Sequence, residues 1–420
     1  MKRFPSNSAR LHVAAALALL PASHLLRAAD AVPTPPPAIG TAAKAPATSP
    51  GEQNAPTAGT PGARGGGGGR GGSSPITPES LAAMAKLNEL PAWKPGAGNG
   101  DYSAGPAYVP APENAPRANV PKGRVETFQI PLVGSKFFPP GVGGRGRGAP
   151  ADGAATNAPT REVNVYVPAG YVPGTAAPLL VCHDAMGMHD TPPAPYLPTI
   201  LDNMIADKRL PPMVVVMLMH GGQSQRSFEY DTVSGKFAEF VEAEVLPVVA
   251  EKMSVTFTKD PNGRATLGGS SGGAAALSMA WFHPELYRRV LVFSGTFVAL
   301  RTDPETAPHG AWEFHENFIP KTTPIKPLRI WLHVSDKDNG ANSSDASMRN
   351  WVLANLHMAE VLKAKGYPYQ FIYAKEAGHN ERPFRAQNLA PALEWLWQDY
   401  RPATERNRGQ LSSSHPHHSP

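Results

Sequence analysis

The chain has 420 residues with 39 Lys and Arg against 34 Asp and Glu, a formal net charge of +5, and a single cysteine. Lys2, Arg3, Arg10 and Arg27 carry four of those charges, so the chain after residue 29 has a net charge of +1 and no large basic field for nucleic acid or an anionic membrane. With only Cys182 present, no intrachain disulfide can form, and one large apolar core must hold the fold.

In chain order, Lys2, Arg3 and Arg10 lead into the apolar run Leu11 to Leu20, followed by the small residues Ala28-Ala29-Asp30-Ala31. That run is too short to span a bilayer. Its flanks are those of a secretory signal peptide, so residues 1–29 are expected to be removed and the rest exported to the periplasm or beyond, with no membrane span. Residues 30–100 are dominated by Pro, Gly and Ala and read as a disordered linker, broken by a short helix near 78–90. The string Arg64-Gly-Gly-Gly-Gly-Gly-Arg70 has two arginines, too few for a nucleic-acid tail.

A catalytic-sized domain is expected over 101–402, with 403–420 a disordered tail whose His415, His417 and His418 are no sign of a metal enzyme. Arg124 to Val133 and Arg161 to Val167 alternate apolar and polar residues, as a half-exposed antiparallel edge does, and the glycine-rich segment 139–160 between them reads as a mobile loop. The pattern then changes to solid apolar runs: Leu179 to Cys182, Met213 to Met219, Ala265 to Leu267, Val290 to Phe293, Leu328 to Val334 and Tyr369 to Tyr373. Helical stretches separate them, near Tyr196 to Lys208, Val233 to Lys252, Ser271 to Phe282, Asp345 to Lys365 and Ala386 to Asp399. Runs buried on both faces and spaced by helices predict an α/β fold with a mostly parallel sheet, helices on both faces and an antiparallel N-terminal edge.

Such a sheet gathers function at the carboxyl ends of its strands. After the first run comes Cys182-His183-Asp184; the cysteine lacks flanking glycines and reads as a small buried residue rather than a nucleophile. His220-Gly221-Gly222 follows the next run and reads as a loop lining a cleft. The third run enters Gly268-Gly269-Ser270-Ser271-Gly272-Gly273 and leaves through the helix-forming Ala274-Ala275-Ala276-Leu277, which is strand, sharp turn and helix: a nucleophile elbow. Ser270 is the candidate nucleophile, and Ser271 is the alternative one register on. The helix that starts there points N–H groups toward a developing oxyanion, with the Ser271 N–H as one donor and the N–H of Ala185 or Met186 as the second.

A serine hydroxyl needs a base, and His379 in Ala377-Gly378-His379-Asn380 follows the last apolar run. The base needs a carboxylate to fix its tautomer, and Ser335-Asp336-Lys337-Asp338 offers two. Asp338 is preferred because a few residues are needed to carry a side chain over the sheet end, and Asp336 stays open beside it. No metal or cofactor is expected.

With these residues in hand, the chain resembles the esterase D and enterochelin esterase-like group of α/β-hydrolases, over about Gly100 to Tyr400. The elbow is similar to that group's G-x-S-x-G-G, Ala377-Gly378-His379 to its histidine loop, and Arg226-Ser227-Phe228-Glu229-Tyr230-Asp231 to its R-S-x-E-Y segment. The chain departs from it at His183-Asp184-Ala185-Met186-Gly187, where the group often has Asp-Gly. The resemblance implies an α/β-hydrolase fold and a secreted serine esterase with the triad Ser270, Asp338 and His379. Its substrates would be small-molecule or carbohydrate-linked esters, or siderophore-type esters. Arg226, Glu229 and Tyr230 are expected to frame the substrate, with a structural Arg226–Glu229 salt bridge as the alternative. Acyl transfer on the same triad and a non-catalytic exported binding module are the competing functions.

Overall fold

A computed structural model describes residues 77–141, 159–190 and 194–401. The segment expected to be a signal peptide, the expected linker as far as residue 76, residues 142–158 of the expected 139–160 loop, residues 191–193 and the tail from residue 402 lie outside the described residues.

Nine strands form one sheet: β1 Gly100–Ala104, β2 Arg124–Pro131, β3 Thr160–Val167, β4 Leu179–His183, β5 Val214–Leu218, β6 Arg264–Gly269, β7 Arg289–Phe293, β8 Arg329–Lys337 and β9 Tyr369–Gly378. Their order across the sheet is β1-β9-β8-β7-β6-β4-β5-β3-β2. Among the described strands of this sheet β3 alone runs against the others, pairing antiparallel with β2 on one side and β5 on the other. Every residue of β4, β5 and β7 is buried, because helices cover both faces of the parallel part, whereas β2 at the edge alternates between exposed and half-buried positions.

The helices are α1 Pro78–Asn88, α2 Leu197–Ala206, α3 Gln223–Tyr230, α4 Lys236–Phe240, α5 Leu246–Met253, α6 Ser271–Phe282, α7 Trp351–Lys365 and α8 Arg382–Trp397. One apolar cluster joins one sheet face to α4, α5, α6 and α7, and a second joins the other face to α2 and α8. All of α6 from Ser271 to Trp281 is buried. A helix that is apolar all round has no water-facing stripe, and its alanines let it sit deep against the sheet. Its N-terminus is thereby fixed at the carboxyl end of β6.

This is the α/β-hydrolase fold, with an antiparallel edge where the alternating pattern predicts it. Three features differ from the sequence reading. The domain begins before residue 101: Thr77 caps α1 by accepting the Ser80 N–H, Leu87 is buried, and Ser80 Oγ donates to the Ser343 carbonyl at 3.2 Å. Strand β1 adds a parallel edge beside β9 through the register Gly100↔Gln370 to Ala104↔Ala374, although Gly-Asp-Tyr-Ser-Ala contains no apolar run. Helix α3 forms over the polar Gln-Ser-Gln-Arg-Ser-Phe-Glu-Tyr, opened by Gly222 at φ 118°.

Candidate active site

Five consecutive strand ends, those of β4, β6, β7, β8 and β9, build the site. At β6 the chain must reverse from strand to helix within one residue, and Ser270 does so at φ 56° and ψ −128°. A left-handed φ at a residue with a side chain is strained unless its surroundings hold it. Here the Ser270 N–H donates to Phe293 O at 2.9 Å, and its carbonyl accepts from Gly273, Ala274 and Thr296. The flanking glycines are required by contact: a Cβ on Gly268 would stand 2.1 Å from Gly272 O, and one on Gly272 would stand 2.9 Å from His183 Cβ. Ser270 is half-buried, and its Oγ lies 3.4 Å from Thr296 Oγ1. Ser271 is buried inside the first turn of α6, which removes it as the exposed hydroxyl.

At β8 and β9 the structure brings Asp338 and His379 together, with His379 Nδ1 donating to Asp338 Oδ1 at 2.6 Å. Asp338 is buried, and each of its oxygens takes two donors. Oδ1 also accepts Asn339 N–H at 2.8 Å, and Oδ2 accepts Ser294 Oγ–H at 2.7 Å and Ser335 N–H at 3.2 Å. Burial opposes its charge, but the hydrogen bond and charge of His379, with the Ser294 and Asn339 donors, hold its carboxyl below the usual range. With Nδ1–H committed to Asp338, His379 Nε2 is the acceptor, and Asn380 Nδ2 faces it at 3.3 Å. A Cβ on Gly269 would meet Asn380 Oδ1 at 2.8 Å, so the histidine turn is packed directly on the elbow. The Trp351 ring stands edge-on to His379, centroids 6.4 Å apart, and its Nε1–H donates to Thr296 Oγ1 at 3.3 Å.

Asp336 is elsewhere: its two oxygens accept the N–H groups of Glu376 and Ala377 at 2.8 and 3.0 Å, bracing the turn that carries His379. Cys182 is fully buried, and burial pushes its thiol up, away from nucleophilic use.

The second oxyanion donor is a correction. Ala185 N–H donates to Leu218 O at 3.1 Å and Met186 N–H to His183 O at 3.2 Å, so both are spent within the chain. Ala185 and Asp184 sit at φ 45° and 55°, which curls the loop back on itself. Among the described residues no backbone carbonyl is recorded behind the Ser271 and Gly272 N–H groups at the first turn of α6, whereas Gly273 and Ala274 return to Ser270 O.

The proposed substrate frame is also corrected. Glu229 is buried and pairs with Arg161, not Arg226, through two bonds of 2.7 and 2.8 Å, both side chains being 0% exposed. Tyr230 is 1% exposed, and its hydroxyl accepts Asp184 N–H at 3.4 Å. Neither residue reaches solvent. Arg226 is partly exposed but grips Asp184, with Nη2 to Oδ2 at 2.6 Å and Nε at 3.1 Å from Oδ1. It therefore shapes the loop after β4.

Ser294, Thr296, Trp351 and Asn380 were not singled out by sequence. The rule that strand ends carry function points to Ser294, which directly follows β7, but an isolated Ser-Gly carries no chemical pattern of its own. Among the described residues His309, Glu313 and Glu316 bring potential metal-ligand atoms within 4.8 Å of one another, and this group contains none of the site residues. No helix among the described residues is long and apolar enough to cross a membrane.

Residues 155–396 match the Esterase family model, more than half of the chain. Among solved structures, an enterochelin esterase from Shigella flexneri is 22% identical over 57% of this chain and 55% of its own, with a TM-score of 0.44. The ferric enterobactin esterase from Salmonella typhimurium is 20% identical over 57% and 55%, TM-score 0.43. A feruloyl esterase module from Clostridium thermocellum, solved with sinapinate, is 17% identical over 78% of this chain and all of its own, TM-score 0.45. This chain thus spans about half the length of the enterochelin esterases it matches. No curated protein matches it.

Proposed function

The chain belongs to the Esterase family, and from that premise we propose that it hydrolyses carboxylic esters through an acyl-enzyme on Ser270. Ser270 Oγ attacks the ester carbonyl while His379 Nε2 takes its proton. The tetrahedral oxyanion forms beside the N-terminus of α6, at the Ser271 N–H. Collapse breaks the bond to the alcohol, which leaves with the proton from Nε2, and water then releases the acid by the same steps in reverse. Asp338 holds Nδ1–H and stabilises the imidazolium.

The observation that carries this reading is the 2.6 Å Asp338–His379 bond on a turn packed against a left-handed serine between β6 and α6. A binding module has no use for that combination. The ordinary acceptor is water, and the chain acts after export, which the basic, apolar and small residues of 1–29 support. Its substrates are small or carbohydrate-linked esters, siderophore-type esters among them.

Turnover of p-nitrophenyl acetate that is lost in both Ser270→Ala and His379→Ala is the expected result. Turnover persisting in either variant at the wild-type rate removes the mechanism. Product analysis with an acceptor alcohol present separates hydrolysis from acyl transfer, and free acid as the main product is the outcome expected here.

A further inference from the structure

The turns that carry the acid and the base come from different strands, and one buried side chain joins them. Ser294 follows β7 and is 0% exposed. Its backbone is left-handed at φ 47°, held by its own N–H donating to His333 O at 2.9 Å, which ties it to β8. Its hydroxyl has one proton and two lone pairs, and both kinds of site are used. The proton goes to Asp338 Oδ2 at 2.7 Å, and a lone pair accepts the N–H of Asn380, the residue after His379, at 3.2 Å.

We propose that Ser294 is a positioning residue for the Asp338–His379 pair, one hydroxyl fixing the acid turn and the histidine turn against each other. This rests on the acyl-enzyme reading above and adds to it a residue that touches no substrate. The polarity of the bonds supports it. The O–H can only donate to the carboxylate while the same oxygen accepts from Asn380, so the side chain senses both turns at once. Its removal takes away the acceptor of the Asn380 N–H and one of the two donors to Asp338 Oδ2 inside the protein. The hydroxyl also spreads the charge of Asp338 over a second donor. Without it, Asp338 Oδ2 keeps only the Ser335 N–H, and the carboxylate that orients His379 is held less firmly.

The other ionisable groups around the pair have partners or surroundings of their own. His333 on β8 is buried, and burial pushes it down to about 3, so it stays neutral. Arg385 on α8 is committed to Asp190 at 2.8 Å, and Asp336 is held by the N–H groups of Glu376 and Ala377.

The test compares Ser294→Ala and Ser294→Cys in the full chain, with kcat and KM for p-nitrophenyl acetate measured across pH and the melting temperature alongside. Cysteine fills the space of serine but is a poor hydrogen-bond donor. If the hydroxyl positions the pair, both variants lose roughly ten- to a hundredfold in kcat at nearly constant KM. If Ser294 only fills space, Ser294→Cys keeps wild-type kcat, and the inference is overturned. Should Ser294→Ala fail to fold, the cysteine variant decides alone. A wild-type enzyme inactive on the ester removes the acyl-enzyme reading itself, whereas an active wild type indistinguishable from Ser294→Cys removes only this inference.

Discussion

Asp336 and Asp338 stand two positions apart at the end of β8, and their side chains do different things. Asp338 meets His379 Nδ1, while Asp336 receives two backbone N–H groups of the histidine turn. Asp338→Asn should lower kcat by roughly 10³–10⁴-fold, because the amide presents the wrong partner to the imidazole. Asp336→Ala leaves two N–H groups without their carboxylate and should lower stability by about 1–3 kcal/mol, with a much smaller loss of kcat in the folded enzyme. Equal losses of kcat in the two variants would contradict the assignment. The sequence offers both carboxylates in one short string. What separates them is an irregularity of register between Ser335 and Lys337, set by pairing with β9, which no local composition reveals. The elbow was legible because it needs glycine at Gly268 and Gly272 for reasons of contact. Ser294 and Thr296 were not, since a buried hydroxyl bonded to a distant loop looks like any turn serine or threonine.

At the level of elements, the segment from β5 through α3 carries two ion pairs with different consequences. Arg161 on β3 and Glu229 on α3 form a fully buried bidentate pair, and Glu229 also accepts the Gly221 N–H at 3.0 Å. Removing either charge leaves the other stranded, so Glu229→Ala should cost about 3–5 kcal/mol while kcat/KM of the folded fraction stays near wild type. The Arg226–Asp184 pair is partly exposed, so its loss should cost less than about 1 kcal/mol. It holds the loop whose Asp184 would lie 3.4 Å from a Cβ on Gly272, so Arg226→Ala should reduce kcat/KM at nearly constant melting temperature. A large fall in melting temperature with normal kinetics would remove that role. The parallel strands were readable because burial on both faces writes solid apolar runs. Strand β1 was not, because an edge strand that borrows its partner from β9 needs no apolar signature, and α3 was not, because its buried residues sit within a polar string.

The whole molecule should be less stable in acid. His183, His315 and His333 are buried, and burial pushes them down to about 4, 3 and 3. They stay neutral in the fold, whereas the unfolded chain protonates its histidines below about 6.5. The unfolded state then binds more protons, and stability falls as the pH drops from about 6.5 toward 4, by on the order of 1–2 kcal/mol per histidine at pH 5. Burial opposes the charges of Asp338, Asp190 and Asp399, but His379, Arg385 and Arg289 outweigh it and lower all three carboxyls. Their contribution is complete above the unfolded value near 4 and is lost as the pH falls through the lower folded values. Urea midpoints should therefore be lower at pH 5 than at pH 7, and equal midpoints would contradict this reading of the buried histidines. The central claim is a nucleophile at Ser270, and peptide mapping after reaction with a fluorophosphonate tests it most directly. The label is expected on Ser270 and absent from Ser271, and Ser270→Ala should carry none; full labelling of Ser270→Ala would contradict the account.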